Sequence, residues 1–271
     1  MKIRLLAVDL DGTLLNSAKQ ITDTTAAILR SARESAGVQV VLATARPPRS
    51  VMPFYSLLAL KAPMINYNGA LVCEPSTGRM LLHRPIEGAI ARGIADLARQ
   101  MHPDVLISAE ILDRWYTDRL DPAYQTETGR LYQPDVLAPL EEWLTGAVTK
   151  LLILGPPQRL AEVARAIRDR YAGQVQLVQT EDYLLQIMHA SVSKVQALQV
   201  VASHMGVARH QVMAIGDNAN DVGMLRWAQV GVAMANAAPE ALNAADYITD
   251  HHDADGAAKA IERILLSGRP G

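Results

Sequence analysis

Along the chain, short apolar runs end abruptly at small or polar residues, and segments with helical spacing lie between them. Residues 3–8 stop at Asp9, 38–43 at Thr44, 64–65 at the run Asn66-Tyr67-Asn68-Gly69, 212–215 at Gly216-Asp217, and 230–234 at Ala235-Asn236. Near-continuous apolar runs of this length suit central strands of a parallel sheet covered on both faces. Between them, Thr22-Asp23 offers an N-cap to a helix over 25–36 that ends near Gly37, and the spacing of 195–205 predicts another, closed by Gly206. Alternating strands and helices predict an α/β domain with a parallel sheet. In such sheets ligands sit at the carboxyl ends of the strands, where every polar motif just named falls.

From about residue 84 to about 189 the pattern changes. Turn signals multiply (Pro103, Pro122, Gly129, Pro134, Pro139, Pro156-Pro157), and two stretches of helical spacing appear at 86–100 and 158–171. Strand-like pieces surround them at 105–108, 150–154, 175–178 and 183–188. The expected fold is therefore α/β: a doubly wound, Rossmann-like parallel-sheet core over about 1–83 and 190–271, with an inserted α+β domain over about 84–189.

Composition narrows the class. Hydrophobic residues at 49% and charged residues at 20% of 271 are those of an ordinary globular chain, which excludes disordered, collagenous and coiled-coil proteins. The net charge of −2, from 26 basic and 28 acidic residues, gives no broad positive field for nucleic acid or an anionic membrane. An anionic ligand must be held by local chemistry. Cys73 is the only cysteine, so no intrachain disulfide forms, and a reducing, cytoplasmic setting is expected. Lys2 and Arg4 precede an apolar run that Asp9 stops after four residues, short of the ~7–15 of a signal-peptide core. No run reaches the ~18 apolar residues of a membrane span.

Two acidic loops follow buried strands: Asp9-Leu10-Asp11-Gly12-Thr13 and Gly216-Asp217-Asn218-Ala219-Asn220-Asp221. Either alone reads as a turn. Together they bring up to four carboxylates to one rim of the sheet, a concentration of charge that is costly unless a cation sits in it. Oxygen-only ligands select a hard ion such as Mg²⁺, which keeps places for water and substrate phosphate. Thr44 supplies a hydroxyl, and Lys194, ahead of the second predicted helix, supplies a point charge in a chain with six lysines against twenty arginines.

These motifs, in this order and strand-end context, resemble the haloacid dehalogenase superfamily, and more narrowly the Cof-type phosphatases with a large α/β cap between the second and third motifs. Further matches are Ala43-Thr44-Ala45-Arg46-Pro47, Asn68-Gly69-Ala70, Val192-Ser193-Lys194 and the run 231–237. The resemblance spans 6–265. It implies that Asp9 is the nucleophile forming an aspartyl-phosphate and Asp11 the general acid/base. It implies Mg²⁺ held by the Asp9 side chain, the Asp11 carbonyl and Asp217, with Asp221 orienting that set. Thr44, Lys194, Asn220 and the backbone at Leu10 and Ala45 would grip the phosphoryl group, and Arg46 and Asn68 would reach the substrate. The 84–189 domain becomes a cap that closes over a small phosphorylated metabolite and sets the leaving-group preference. Departures from the family pattern are Ala45 and Val195 in place of glycines, Ala190-Ser191 in place of a glycine-containing approach, and Gln186 where many members carry glutamate.

The expected function is thus Mg²⁺-dependent hydrolysis of small phosphomonoesters, by a monomer or small homo-oligomer. The alternatives are a phosphomutase or phosphotransferase with the same intermediate, or a non-enzymatic phospho-aspartate switch resembling a response-regulator receiver. Asp11 and the cap argue against the switch. Elsewhere, the 250–256 segment with His251 and His252 reads as a polar loop capping a last helix over 257–266 rather than a second metal site. Trp115, Tyr116 and Tyr124 are candidates to stack on a ring, with core packing the competing role. Arg49 is a second candidate for an anionic substrate group. Cys73 reads as a small core residue. No Gly-x-Ser-x-Gly elbow and no phosphate loop of Gly-x-x-x-x-Gly-Lys-Ser/Thr type occurs.

Overall fold

The structure, a computed structural model, describes residues 2–267, without the side chains of Glu127 and Thr180. The chain divides into two compact units, Met1–Leu82 with Ser193–Gly271, and His83–Val192. In chain order the strands are β1 (Leu5–Val8), β2 (Gln39–Leu42), β3 (Met64–Asn66), β4 (Leu71–Glu74) and β5 (Arg79–His83). There follow β6 (Leu106–Ile111), β7 (Arg114–Thr117), β8 (Val136–Leu137), β9 (Lys150–Leu154), β10 (Val175–Glu181) and β11 (Leu184–His189). The last three are β12 (Val212–Gly216), β13 (Val230–Ala233) and β14 (Tyr247–Ile248).

Unit 1 is a parallel sheet in the order β14-β13-β12-β1-β2. Strand side chains alternate between its faces. Leu6, Val8, Val40, Leu42, Met213 and Ile215 pack on one face with the helices Asp23–Glu34, Pro48–Leu57 and Gly256–Ile261. Leu5, Ala7, Val41, Ala43, Val212 and Ala214 pack on the other with Lys194–His204 and Val222–Trp227. Both faces are covered, so the strands are apolar throughout, and each fully buried leucine contributes about 1.5–3 kcal/mol. The chain winds outward from β1 to β2, then returns beside β1 with β12. The reversal point therefore lies between β1 and β12, whose carboxyl ends carry Asp9 and Asp217.

Side-chain caps account for the starts of two helices, the one at Thr22 expected from the sequence. Thr22 Oγ1 accepts the Thr25 N–H at 3.1 Å, and Ser193 Oγ accepts that of Gln196 at 3.3 Å, caps worth about 1 kcal/mol each. The 64–65 run behaves differently from the other strands. β3 pairs antiparallel with β4 in a three-stranded sheet with β5, and meets β2 through one bridge, Ala43 to Ile65. The left-handed backbone at Tyr67 and Asn68 ends it after three residues.

Unit 2 is a six-stranded sheet in the order β10-β11-β9-β6-β7-β8, antiparallel except for β7 beside β8. Ile107, Ala109, Leu151, Ile153, Leu185 and Ile187 face the amphipathic helices Gly88–Met101 and Pro157–Arg170. The opposite face carries Leu106, Leu152, Leu154 and Leu184 at one end and the polar Glu110, Lys150 and Gln186 at the other, with Lys150 Nζ donating to Gln186 Oε1 at 3.1 Å. Among the described residues no helix is long and apolar enough to cross a membrane.

Candidate active site

Asp9 leaves β1 with its N–H on the Ile215 carbonyl at 3.1 Å, which ties the first acidic loop to the end of β12. Its carboxylate is buried, and Lys194 Nζ lies 2.8 Å from Oδ1. The same Nζ lies 2.7 Å from Asp221 Oδ1. Lys194 opens the helix Lys194–His204, and its ammonium is fully buried. Burial pulls the Lys194 pKa down, but the Asp221 and Asp9 carboxylates more than reverse that and hold it above the usual lysine value. Asp221 is satisfied from three sides, because Oδ2 also accepts the Asp217 and Asn218 N–H groups at 3.1 Å each.

Asp217 accepts the Thr13 hydroxyl at 2.9 Å, and the loop carrying Thr13 comes this close because residue 12 is glycine. Gly12 has φ +76°, and a Cβ there would lie 2.3 Å from Asp217 Oδ2. Carboxylate oxygens of Asp9, Asp217 and Asp221 all lie within 4.8 Å of one another. Burial is the main force raising the Asp9 and Asp217 pKa values; at Asp9 the attraction of Lys194 offsets part of it.

Three carboxylates around one ammonium carry an excess of two negative charges once all are ionised. The donor set is all oxygen; Asp221 already accepts three bonds, against one each shown for Asp9 and Asp217, which leaves the latter two with more oxygen to offer a ligand. That chemistry fits a hard divalent ion such as Mg²⁺. Without a cation, the folded chain keeps protons on Asp9 and Asp217 that the unfolded chain releases, so stability falls as pH rises above about 4. Added Mg²⁺ should therefore stabilise the chain at pH 7.5, by about 2.7 kcal/mol at a hundred times its Kd. The gain should shrink as pH falls and the carboxyls take up protons. Thermal unfolding with and without the ion checks this; no Mg²⁺ response at pH 7.5 would count against the site.

The second motif lies beside the first. Thr44 is buried, with its N–H on the Ile65 carbonyl at 2.9 Å. Ala45 is not among the residues with positive φ, so its methyl brings no backbone strain. Tyr67, Asn68 and Gly69 take φ of +50°, +57° and +100° in succession, an uncommon conformation for the first two. It brings Asn68 Oδ1 to accept from Asn220 Nδ2 at 2.9 Å, which ties the β3 end to the second acidic loop. At Gly69 a Cβ would lie 2.4 Å from the Ser193 carbonyl. Val195, also in the place of a glycine, sits inside a helix and packs against Gly223.

Asp11 points elsewhere than the acidic cluster's ammonium. Arg46 grips it with two bonds of 2.6 Å, Nε to Oδ2 and Nη2 to Oδ1, and Lys19 Nζ lies 2.7 Å from Oδ1. Burial raises its pKa, but the two cations outweigh burial and hold the carboxyl below the usual range. Neither the Arg46 pairing nor Lys19 was read from the sequence. Bidentate arginine geometry depends on the turn after Thr44, which no spacing rule encodes.

The His251-His252-Asp253 group does gather, but each member is used. Asp253 accepts the Ser17 N–H and hydroxyl at 2.7 Å each, and His252 Nδ1 meets the Leu15 carbonyl at 2.8 Å. The segment fastens the first acidic loop rather than capping the last helix by side chain. The helix Gly256–Ile261 has Asp255 at its N-cap with no capping bond; that carboxylate accepts the Thr22 and Thr25 hydroxyls. Cys73 is half-buried at the edge of the core.

Residues 6–261 match the haloacid dehalogenase-like hydrolase family, and the chain belongs to that family. It is similar to Bacillus subtilis YxeH, 30% identical over 97% of this chain and 99% of that protein. It is also similar to the Bacillus subtilis 5-amino-6-(5-phospho-D-ribitylamino)uracil phosphatase YitU, 28% identical over 96% of this chain and 97% of that one. A solved haloacid dehalogenase-like hydrolase from Bacteroides thetaiotaomicron superposes with a TM-score of 0.88 at 30% identity, covering 97% of this chain and all of its own. The expected phosphomonoester hydrolase class agrees with these relatives.

Proposed function

We propose that the chain is a Mg²⁺-dependent phosphatase that hydrolyses small phosphomonoesters through an aspartyl-phosphate on Asp9. One observation carries the reading: a fully buried ammonium, Lys194, sits 2.8 Å from a buried strand-end carboxylate with two further carboxylates beside it. An anionic nucleophile meeting an anionic phosphate needs its repulsion cancelled, and Lys194 supplies a fixed positive charge at that point. Mg²⁺, held by Asp9, Asp217 and the Asp11 carbonyl and oriented through Asp221, would neutralise charge on the phosphoryl oxygens. Thr44, Asn220 and the backbone at Leu10 and Ala45 are assigned to the same oxygens.

In the first half, an Asp9 oxygen bonds to phosphorus as the ester oxygen leaves and takes a proton from Asp11. In the second, water bonds to phosphorus, gives its proton to Asp11, and the Asp9–phosphorus bond breaks. Asp11 as found, an anion between Arg46 and Lys19, is in the form the second half needs. To serve as the acid it must leave them and bind a proton. Arg46 thus acts on Asp11, and Arg46→Ala should lower kcat about tenfold or more with little change in KM. The loss should vanish in an Asp11→Asn background. A raised KM at constant kcat would instead make Arg46 a substrate ligand. The choice of substrate is assigned to unit 2.

The direct test is phosphate release from a panel of phosphorylated metabolites and an aryl phosphate, with Mg²⁺ or chelator, in wild type and Asp9→Asn. Release that needs both Mg²⁺ and Asp9 supports the proposal. Release that persists in chelator or in the variant overturns it.

A further inference from the structure

Unit 2 contains a cavity that the phosphatase reading leaves unused. It lies on the sheet face that the two long helices leave uncovered, at the end where Leu106 of β6 pairs with Leu154 of β9. The chain enters and leaves the unit at the opposite end of these strands, where Ile86 bridges Val148 and β11 finishes at His189. The cavity measures about 210 Å³. That is below the ~300–1,000 Å³ of pockets for drug-sized ligands, and suits one ring or a fused pair.

Its walls are apolar and aromatic. Leu106 and Leu154 line it together with Trp115 and Tyr124. Trp115 is fixed at both ends: its backbone N–H donates to Asp135 Oδ2 at 2.7 Å and its indole N–H to Ser108 Oγ at 2.6 Å. Residue 129 is glycine, and a Cβ there would lie 3.3 Å from the Trp115 ring. The Tyr124 ring leans on Tyr183 at 6.1 Å between centroids, and Tyr183 Oη donates to the Gln125 carbonyl at 3.1 Å. An aromatic wall ordered in advance reduces the entropy lost when a flat ligand stacks on it.

The polar lining decides the kind of ligand. Ser108 Oγ is engaged by Trp115 and by the Tyr116 carbonyl, and Thr117 Oγ1 donates to the Arg119 carbonyl. Arg119 is the one cation among the lining residues; its guanidinium donates to the carbonyls of Asp104 and Val105, and Asp121 adds an opposing charge. With one positive and one negative side chain, the lining carries no net charge to draw a phosphate or carboxylate. Gln125 and Gln133, both exposed, also line the cavity, and their side-chain amides have no hydrogen-bond partner among the described residues. Each presents a donor and an acceptor side by side, the complement of a heterocycle's edge.

We propose that this cavity binds a neutral, planar nitrogen heterocycle, stacked on Trp115 and hydrogen-bonded by Gln125 and Gln133. The site is built from unit 2 residues alone and goes beyond the phosphatase reading. It gives the chain a second ligand class, recognised without phosphate.

The test is titration of the full chain with the free bases adenine and uracil, followed by tryptophan fluorescence, with ribose and benzoate as a non-aromatic and an anionic control. Saturable quenching by a base and none by the controls is expected. Trp115→Phe should remove that quenching. The Gln125→Ala/Gln133→Ala double variant, whose changes lie at exposed positions, should weaken binding about tenfold while keeping the signal. Asp9→Asn should titrate like wild type. Quenching that never saturates, a double variant that binds like wild type, or binding lost with Asp9→Asn overturns the proposal. The probes carry no phosphate, so the outcome is independent of whether the chain releases phosphate.

Discussion

Asp9→Asn should keep the fold and lower phosphate release at least about a thousandfold, a loss of ~4 kcal/mol of transition-state stabilisation. The amide has the shape of the carboxylate but no charge to attack phosphorus. It also removes one of three crowded negative charges. Lys194 keeps Asp221 at 2.7 Å, so its charge stays paired. Because burial is the main force raising the Asp9 pKa, the variant without cation should be as stable as wild type or more so at neutral pH. Activity and thermal unfolding measured on one preparation separate the two effects. Turnover near wild type would remove Asp9 from the nucleophile's place, and unfolding of the variant would show that the charge balance is misjudged.

Lys194→Met should have a different signature, a loss of both stability and activity. Removing a buried ammonium leaves Asp9 and Asp221 without their counter-charge, and breaking such a pair typically costs about 3–5 kcal/mol. Activity should fall at least about a hundredfold, since the fixed charge facing the phosphate is lost. Two further readings identify the cause. The deficit should shrink as pH falls, because protonation removes the unpaired charges. Adding Asp221→Asn should recover part of the stability, a coupling expected only between groups in contact. A Lys194→Met protein as stable as wild type at pH 7.5 would show that the ion pairs contribute little.

The α/β alternation was legible because unit 1 buries its sheet on both faces, which leaves uninterrupted apolar runs that stop where the chain meets the site. Strand ends therefore announced Asp9, Thr44 and Asp217 together. The short strands β7, β8 and β14 were not legible. Two residues, as in β8 and β14, are too few for any period to show, and Arg114 to Thr117 mixes a cation with aromatics. The helix Pro48–Leu57 was hidden by Pro47, Pro48 and Pro53, although proline is tolerated in a first turn. At the site, spacing brought residue types to a common rim but not to particular partners. That Lys194 would bridge Asp9 and Asp221, and that Arg46 and Lys19 would hold Asp11, depends on loop torsions such as the left-handed run at Tyr67 and Asn68.

Whether phosphate passes through the protein is settled most directly by a single-turnover experiment. Enzyme in excess over the best labelled phosphomonoester is quenched at short times, and the peptide holding Asp9 is isolated and weighed. Label should rise on Asp9, decay as free phosphate appears, and last longer when Asp11→Asn removes the base that activates water. Stoichiometric phosphate release with no label on Asp9 at any time, or label on another residue, would contradict the account.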